Sequence, residues 1–378
     1  MPGSEQSGTP QETDMPAQYQ YVRIGRRHFC LQQNPVVLAW FLCFRNYALG
    51  LGSPDFKKEA LRAVRILIQH QIGLRSNQPV LKLPVYGNLC LPVHRGYRVF
   101  DFRRHVVIRT FAPEVDAAIV ASEIEGVRDA SLLDFAPTIW RWNVEERWYE
   151  EDLVTGDRGH VIPKSEPGAV LRIYHQDIAS CIERMILLHT PLNVNVGQYV
   201  NNIMDALEDG RLSSQGLDVR KASTVRDFVR SIAERLYPES NEQVDLVFSH
   251  GDLSLRNILR TKDGITVIDW ESAGRRSALF DLYNYFFAEA YYKRITTNLV
   301  SEINDAISSL QSRLTLKIPD IARTLPSLAR TYCRLYYLER ALMLLERELN
   351  NALLDVILRS IAVFNRYEEA MASDSTQG

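Results

Sequence analysis

Ser249-His250-Gly251-Asp252-Leu253-Ser254-Leu255-Arg256-Asn257-Ile258-Leu259, followed by Val267-Ile268-Asp269-Trp270-Glu271, is the stretch on which the reading of this chain turns. Asp252 and Asn257 stand in D-x-x-x-x-N spacing, and Asp269 lies twelve residues beyond Asn257 at the end of a second short apolar run. Two such runs around Lys262-Asp263-Gly264 predict a β-hairpin. One tight loop then carries Asp252 and Asn257, and the end of the next strand carries Asp269. A bland reading is available, because His, Asp and Asn all serve to cap turns. Five fixed residues (His250, Gly251, Asp252, Asn257, Asp269) at ~5% usage each occur together at roughly 3 × 10⁻⁷ per starting position, which makes turn-capping a poor account of the pattern.

The residue types suit movement of a phosphoryl group to a hydroxyl. A carboxylate is needed to orient the attacking hydroxyl and accept its proton. A neutral oxygen donor and a second carboxylate are needed to hold Mg²⁺ against nucleotide phosphates. On these residues the stretch resembles the aminoglycoside phosphotransferase and choline kinase group, within the protein-kinase-like fold. That group's pattern is H-G-D-x-x-x-x-N followed by an apolar pair and D-W/Y-E, met here by His250-Gly251-Asp252, Asn257 and Val267 to Glu271. The resemblance implies Asp252 as catalytic base, Asn257 beside it in the catalytic loop, and Asn257 and Asp269 as Mg²⁺ ligands. It also implies ATP or another nucleoside triphosphate as donor. Asp281, in Phe280-Asp281-Leu282, matches an aspartate that braces the catalytic loop. The likeness is close over residues 249 to 282; elsewhere only the order of elements agrees.

Upstream the pattern is looser. In Val106-Val107-Ile108-Arg109-Thr110-Phe111, the family would place a lysine where Arg109 stands. Arg is permanently charged and forked, so it can clamp phosphate without being an equivalent point charge. Glu123, with Glu125 second, is the acid expected to pair with Arg109, although an ordinary surface acid pair reads the same way. No G-x-G-x-x-G lies between the first strands, and His94-Arg95-Gly96-Tyr97 is the turn expected over the phosphates. Tyr149 to Val154 looks like the hinge, with the backbone of Glu151 and Leu153 facing the adenine.

The rest of the chain supports a soluble globular reading. Lys plus Arg is 44 and Asp plus Glu is 46, so 44 − 46 = −2, which argues against a protein living on nucleic-acid phosphates. The small basic cluster Arg23, Arg26, Arg27 and His28 reads as a solvated face. Five cysteines without C-x-x-C spacing predict a reducing compartment, and with no membrane span or signal peptide in the pattern, a cytoplasmic protein. The histidines show no H-x-x-x-H or H-E-x-x-H spacing, and there is no G-x-S-x-G elbow.

The expected fold is α+β and bilobal: a small antiparallel-sheet N-lobe at 79–151 and a larger helical C-lobe at 152–370. A helical N-terminal extension at 19–78 precedes them, its stripe Leu61, Val64, Ile68 and Ile72 following Ser53-Pro54-Asp55 and packing on the N-lobe. Disordered tails are expected at 1–18 and 371–378.

The expected activity is phosphorylation of a small hydroxylated acceptor. Asp281 follows Asp269 by twelve residues, with no Ala-Pro-Glu segment of the kind on which protein kinases dock peptides. The chain runs instead into Leu282 to Tyr292, apolar and aromatic, suited to walling a pocket. Sugars, amino sugars and amino alcohols all fit, and Glu289, Glu339 and Glu346 are acids that would suit a cationic acceptor, although acids on helices are usually just solvated. The competing expectations are a nucleotide-binding scaffold without turnover, motivated by Arg109 and the missing Gly-rich turn, and a protein kinase.

Overall fold

The computed structural model describes residues 19–24, 27–32, 64, 67–68, 80–158, 166, 168–208, 218–292, 294–295, 298–345 and 351–375. They form two compact units, the chain passing from one to the other between Thr110 and Phe111. The sequence reading kept 79–151 together as one lobe; the change of unit falls earlier, because Phe111, Val120, Ile124, Val127, Phe135 and Tyr149 join the core of the second unit.

In the first unit, β1 (Tyr19–Ile24), β2 (Arg27–Cys30), β3 (Leu81–Leu83), β4 (Leu89–Val93), β5 (Gly96–Asp101) and β6 (Val106–Phe111) lie in the order β3-β1-β2-β4-β5-β6. The pairs β1·β2, β1·β3, β2·β4 and β4·β5 are antiparallel. Val93 faces Gly96, which leaves His94-Arg95 as a two-residue turn with Arg95 at φ 63.

β1 and β2, residues 19–24 and 27–30, are a correction to the helical extension. They pair antiparallel with Tyr21 opposite Cys30, between β3 and β4. Aromatic and β-branched residues fit a pleated, half-buried surface, and Tyr21, Val22, Phe29 and Cys30 are all buried in this sheet. Further along the leader, Val64 and Ile68 are helical but 55% and 56% exposed, so neither shows the packed contact expected of the stripe. Leu61, Ile72, Ser53 to Asp55 and the tail 1–18 lie outside the described residues.

The second unit is predominantly helical. It begins with α1 (Ala117–Ala130), capped by Asp116, whose Oδ1 accepts the Ala118 N–H at 2.7 Å. The hairpin β7 (Ile139–Asn143) and β8 (Trp148–Asp152) and the short β9 (Asp157–Arg158) come after it. α2 (Ala169–Ile173) and α3 (Ala179–Leu188) are joined by a wide π-type turn, and β10 (Leu192–Asn195), α4 (Val196–Glu208) and α5 (Val219–Leu236) come next. β11 (Gln243–Ser249) pairs with β10 and with β14 (Gly274–Ser277); between them β12 (Ile258–Thr261) and β13 (Gly264–Val267) make the expected hairpin. The described residues that follow include the helices α6 (Phe280–Tyr291), α7 (Leu299–Leu314), α8 (Pro319–Ser327), α9 (Ala329–Leu345) and α10 (Asn351–Ser375). α10 runs through the start of the tail expected to be disordered from 371; Ala370 and Met371 are good helix formers and rest against the core.

The core of this unit is aromatic. Phe280, Tyr283, Phe286 and Phe287 of α6 meet Tyr336 and Tyr337 of α9 and Tyr174 of the π-type turn, with ring centroids 5.1–6.1 Å apart. Such offset and edge-to-face contacts add to the burial of large rings. Leu335, Leu338 and Leu345 of α9 are buried and Leu342 packs partly buried against the same core. Among the described residues no helix is long and apolar enough to cross a membrane.

Candidate active site

β11 ends at Ser249, and the chain must turn at once to reach the short helical turn Leu255–Asn257. Gly251 makes this possible at φ +82; a Cβ there would stand 2.3 Å from the Ser272 carbonyl oxygen, so only glycine fits. His250 then acts as a clasp. Its Nδ1 accepts the Asp252 N–H at 3.1 Å and its Nε2 lies 3.0 Å from the Ile268 carbonyl oxygen, a pairing that fits the neutral ring with the proton on Nε2. Its ring packs on Trp270 at 4.5 Å.

Three of the residues singled out by sequence are brought together in this way. The Asn257 amide donates from Nδ2 to the Asp252 carbonyl oxygen at 2.9 Å, which leaves Oδ1 as the atom to offer a cation. The Ile268 N–H donates to the Asn257 carbonyl oxygen at 2.8 Å, tying the loop to the residue before Asp269. Asp269 itself sits at φ 77, ψ 45. An aspartate tolerates this left-handed backbone better than most residues, and strain of this kind gathers at functional sites. Helix α1 presses on the neighbouring segment: a Cβ on Gly126 would lie 2.7 Å from the Ala273 carbonyl oxygen.

The loop is held from beneath by α6. Asp281 accepts the His250 N–H at 2.8 Å and the Gly251 N–H at 3.1 Å, the bracing role its sequence position suggested. Asn284 donates to the Leu253 carbonyl oxygen at 2.9 Å, and Glu289 accepts the Leu255 N–H at 3.2 Å. Sequence reasoning missed Asn284 and read Glu289 as an acid for a cationic acceptor. Glu289 is instead fully buried, with Arg294 at 2.8 Å as its ion partner; burial raises its pKa against the pull of Arg294. Helix α6 is thus core and loop support rather than the pocket wall expected from its apolar run, since nearly all its side chains are buried. The signal in the sequence was a set of polar residues inside an apolar helix, where a buried polar group must find a partner.

Glu339 is likewise spoken for. It accepts Ser277 N and Oγ at 2.8 and 2.6 Å and Tyr199 Oη at 2.6 Å, and burial raises its pKa despite them. Glu346 lies outside the described residues. The residue after Glu339, Arg340, was also missed. Its Nη2 donates to Asp252 Oδ1 at 3.0 Å and its Nη1 to the Gly251 carbonyl oxygen at 3.2 Å. Burial opposes its charge, and Asp252 more than restores it, so its pKa stands above the ordinary arginine value.

The remaining expectations lie in other elements. In the first unit Arg109 is buried and donates to the carbonyl oxygens of His94 at 2.6 Å and Thr110 at 3.2 Å, so it holds the turn expected over the phosphates. In the second unit Glu123 is buried on α1 and accepts Tyr149 Oη at 3.4 Å; Glu125, on the same helix, is exposed. Glu151 lies near the end of β8 opposite Ile139, and Leu153 comes just after the strand.

Asn257 Oδ1 and the Asp269 carboxylate are hard oxygen donors. They fit Mg²⁺, which is commonly held by one or two carboxylates together with substrate phosphates rather than by an all-protein cage. Among the described residues, no group of three or more His, Cys, Asp or Glu comes together as a metal cage.

Residues 168–313, which include the loop, Asp269 and Asp281, match the family model of choline/ethanolamine kinase. No curated protein matches the chain by sequence. Solved structures similar to it include a choline kinase of Cryptosporidium parvum at 15% identity and TM-score 0.48, covering 78% of this chain and 89% of that one. An ethanolamine kinase of Plasmodium vivax is 14% identical at TM-score 0.46, covering 89% and 94%. An aminoglycoside phosphotransferase of Streptomyces rimosus, solved with ADP and streptomycin, is 17% identical at TM-score 0.40, covering 67% and 92%.

Proposed function

We propose that this chain is a small-molecule kinase that transfers the γ-phosphoryl group of ATP to an acceptor hydroxyl. The observation that carries the reading is the convergence of Asp252, Asn257 and the Asp269 segment through the 2.9, 2.8 and 3.0 Å contacts that lock the loop to the end of β13. The family match over 168–313 supports it. In the reaction the acceptor oxygen forms a bond to the γ-phosphorus while the bond to the β–γ bridging oxygen breaks. The hydroxyl proton passes to Asp252, and the products are a phosphate ester and ADP. Mg²⁺, when bound, supplies positive charge against the phosphates. Asn257 Oδ1 and Asp269 would hold it, and Asp281, Asn284 and Glu289 keep the loop rigid so that little reorganisation is left to the chemical step.

A small acceptor is favoured over a protein surface by the chain immediately after Asp269. Residues 270–279 make a short helical turn and then β14, whose residues Gly274–Ser277 pair with Leu246–Ser249. A peptide-docking platform would have to emerge from this segment, and its backbone is already committed to a sheet. The experiment is turnover of Mg-ATP by the purified full chain, offered sugars, amino sugars, amino alcohols, hydroxy acids and peptide libraries in parallel. Higher kcat/KM for any peptide overturns the small-molecule reading, and the absence of any acceptor-dependent ADP release favours the scaffold reading.

Asp269→Asn and Asp269→Ala test the metal-nucleotide role. Asn keeps one oxygen and tolerates the left-handed backbone, whereas Ala keeps neither advantage. Mg-dependent binding of a non-hydrolysable ATP analogue is expected to weaken at least about tenfold in Asp269→Ala, and less in Asp269→Asn. Unchanged Mg-dependent binding in a folded Asp269→Ala protein removes Asp269 from the metal site.

A further inference from the structure

We propose that the acceptor carries an anionic group two or three bonds from its reactive hydroxyl, and that Arg340 is the residue that recognises it. The proposal rests on the kinase reading above and narrows its substrate class. The hydroxyl must come within hydrogen-bond reach of Asp252 to give up its proton. The Arg340 guanidinium is already there, 3.0 Å from Asp252 Oδ1, on a side chain that is 20% exposed beside a 35% exposed aspartate. Two of its five N–H groups are used, on Asp252 and on the Gly251 carbonyl oxygen. The fork therefore has donors left for a carboxylate or phosphate, the groups whose geometry it matches.

Among the described residues, the acids that would suit a cation are already engaged. Glu339 accepts three hydrogen bonds from Ser277 and Tyr199, Glu289 is paired with Arg294 and the Leu255 N–H, and Asp281 is consumed by two backbone N–H groups. Aromatic faces near the loop already carry arginines. Arg256 and Arg294 lie 5.2 and 5.5 Å from the Tyr292 ring, Arg276 lies 5.1 Å from Phe280, and Arg359 lies 5.4 Å from Tyr291. A quaternary ammonium needs such faces for itself.

The test uses acceptors that share one hydroxyethyl chain and differ in charge: choline, the neutral 3,3-dimethyl-1-butanol, 3-hydroxypropionate and 2-hydroxyethylphosphonate. Binding to the full chain with Mg²⁺ and a non-hydrolysable ATP analogue is measured by calorimetry, and kcat/KM with Mg-ATP is measured separately. The anionic compounds are expected to bind at least about tenfold tighter than choline, through charge-assisted hydrogen bonds to the spare guanidinium donors, with the carboxylate and phosphonate arms telling the two anion chemistries apart. Arg340→Met should collapse that preference and Arg340→Lys should restore part of it. A change in stability alone would lower binding of all four compounds together and leave the ratio where it was. Choline binding as tightly as the anions, an anion-to-choline ratio unmoved by Arg340→Met in folded protein, or no binding of either anion overturns the proposal. Arg340-dependent anion binding without turnover of any compound leaves it standing and counts against the kinase reading instead.

Discussion

Asp252→Ala is expected to lower kcat by about 10³-fold while leaving the KM for ATP close to that of the unaltered protein. Proton acceptance by a positioned carboxylate is generally worth 10²–10⁴-fold, and its loss falls on the chemical step rather than on nucleotide binding. Asp252 is also the ion partner of the mostly buried Arg340, so alanine leaves a guanidinium without its carboxylate. Asp252→Asn is the companion variant. It keeps the shape and one oxygen for Arg340 but no longer takes a proton, and its kcat should fall nearly as far. Steady-state kinetics with a thermal melt on each variant separates the two effects. If folded Asp252→Asn retains near-native kcat, Asp252 is not the base.

The second large effect is expected at Asp281. Its two carboxylate oxygens satisfy the N–H groups of His250 and Gly251, both buried in the core of the second unit. In Asp281→Ala the His250 N–H loses its acceptor and the Gly251 N–H keeps only Ser249 Oγ at 3.1 Å; a buried unsatisfied group costs about 1–3 kcal/mol. A loss of about 2 kcal/mol in urea-denaturation stability is the expected result, together with a severe fall in kcat, since the loop that carries Asp252 is no longer pinned. Asp281→Asn, which retains one oxygen acceptor, should fall between. A stability change below about 0.5 kcal/mol in Asp281→Ala would show that the brace is dispensable.

The candidate site was more legible than its supports. Asp252, Asn257, Asp269 and Asp281 stand out because they lie within thirty residues of one another and each residue type has a specific chemical use in the proposed reaction. Arg340 was not legible, since it reaches Asp252 from a helix 88 residues further on and nothing local marks it. The clue was physical rather than a motif. Glu339-Arg340 interrupts a helix whose neighbouring residues are apolar and aromatic, and charges in such a place need partners. Glu289 was misread for the opposite reason: its type suggested a ligand site, while its burial against Leu255 and Arg294 gives it structural work. The β1–β2 pair was hidden because the leader was judged by the helical stripe around Val64 and Ile68. Tyr19 to Val22 and Phe29, whose types favour strands, were the better guide to their own segment.

The support that α6 gives to the loop also bears on how the molecule breathes. An amide exchanges its hydrogen with solvent only when its hydrogen bond opens, and the cost of opening ranges from almost nothing at frayed ends to the full unfolding free energy in the core. The N–H groups of His250, Gly251 and Leu255 are bonded to side chains of a helix at the centre of the aromatic core, so they cannot open while that helix stays folded. The loop that carries Asp252 should therefore rank with α6 and α9 among the slowest-exchanging peptides in deuterium mass spectrometry. Under the proposed function, substrate then binds to a surface fixed in advance, and whatever moves during turnover must be sought in other parts of the chain. Fast exchange across residues 249–255 in the free protein would refute this.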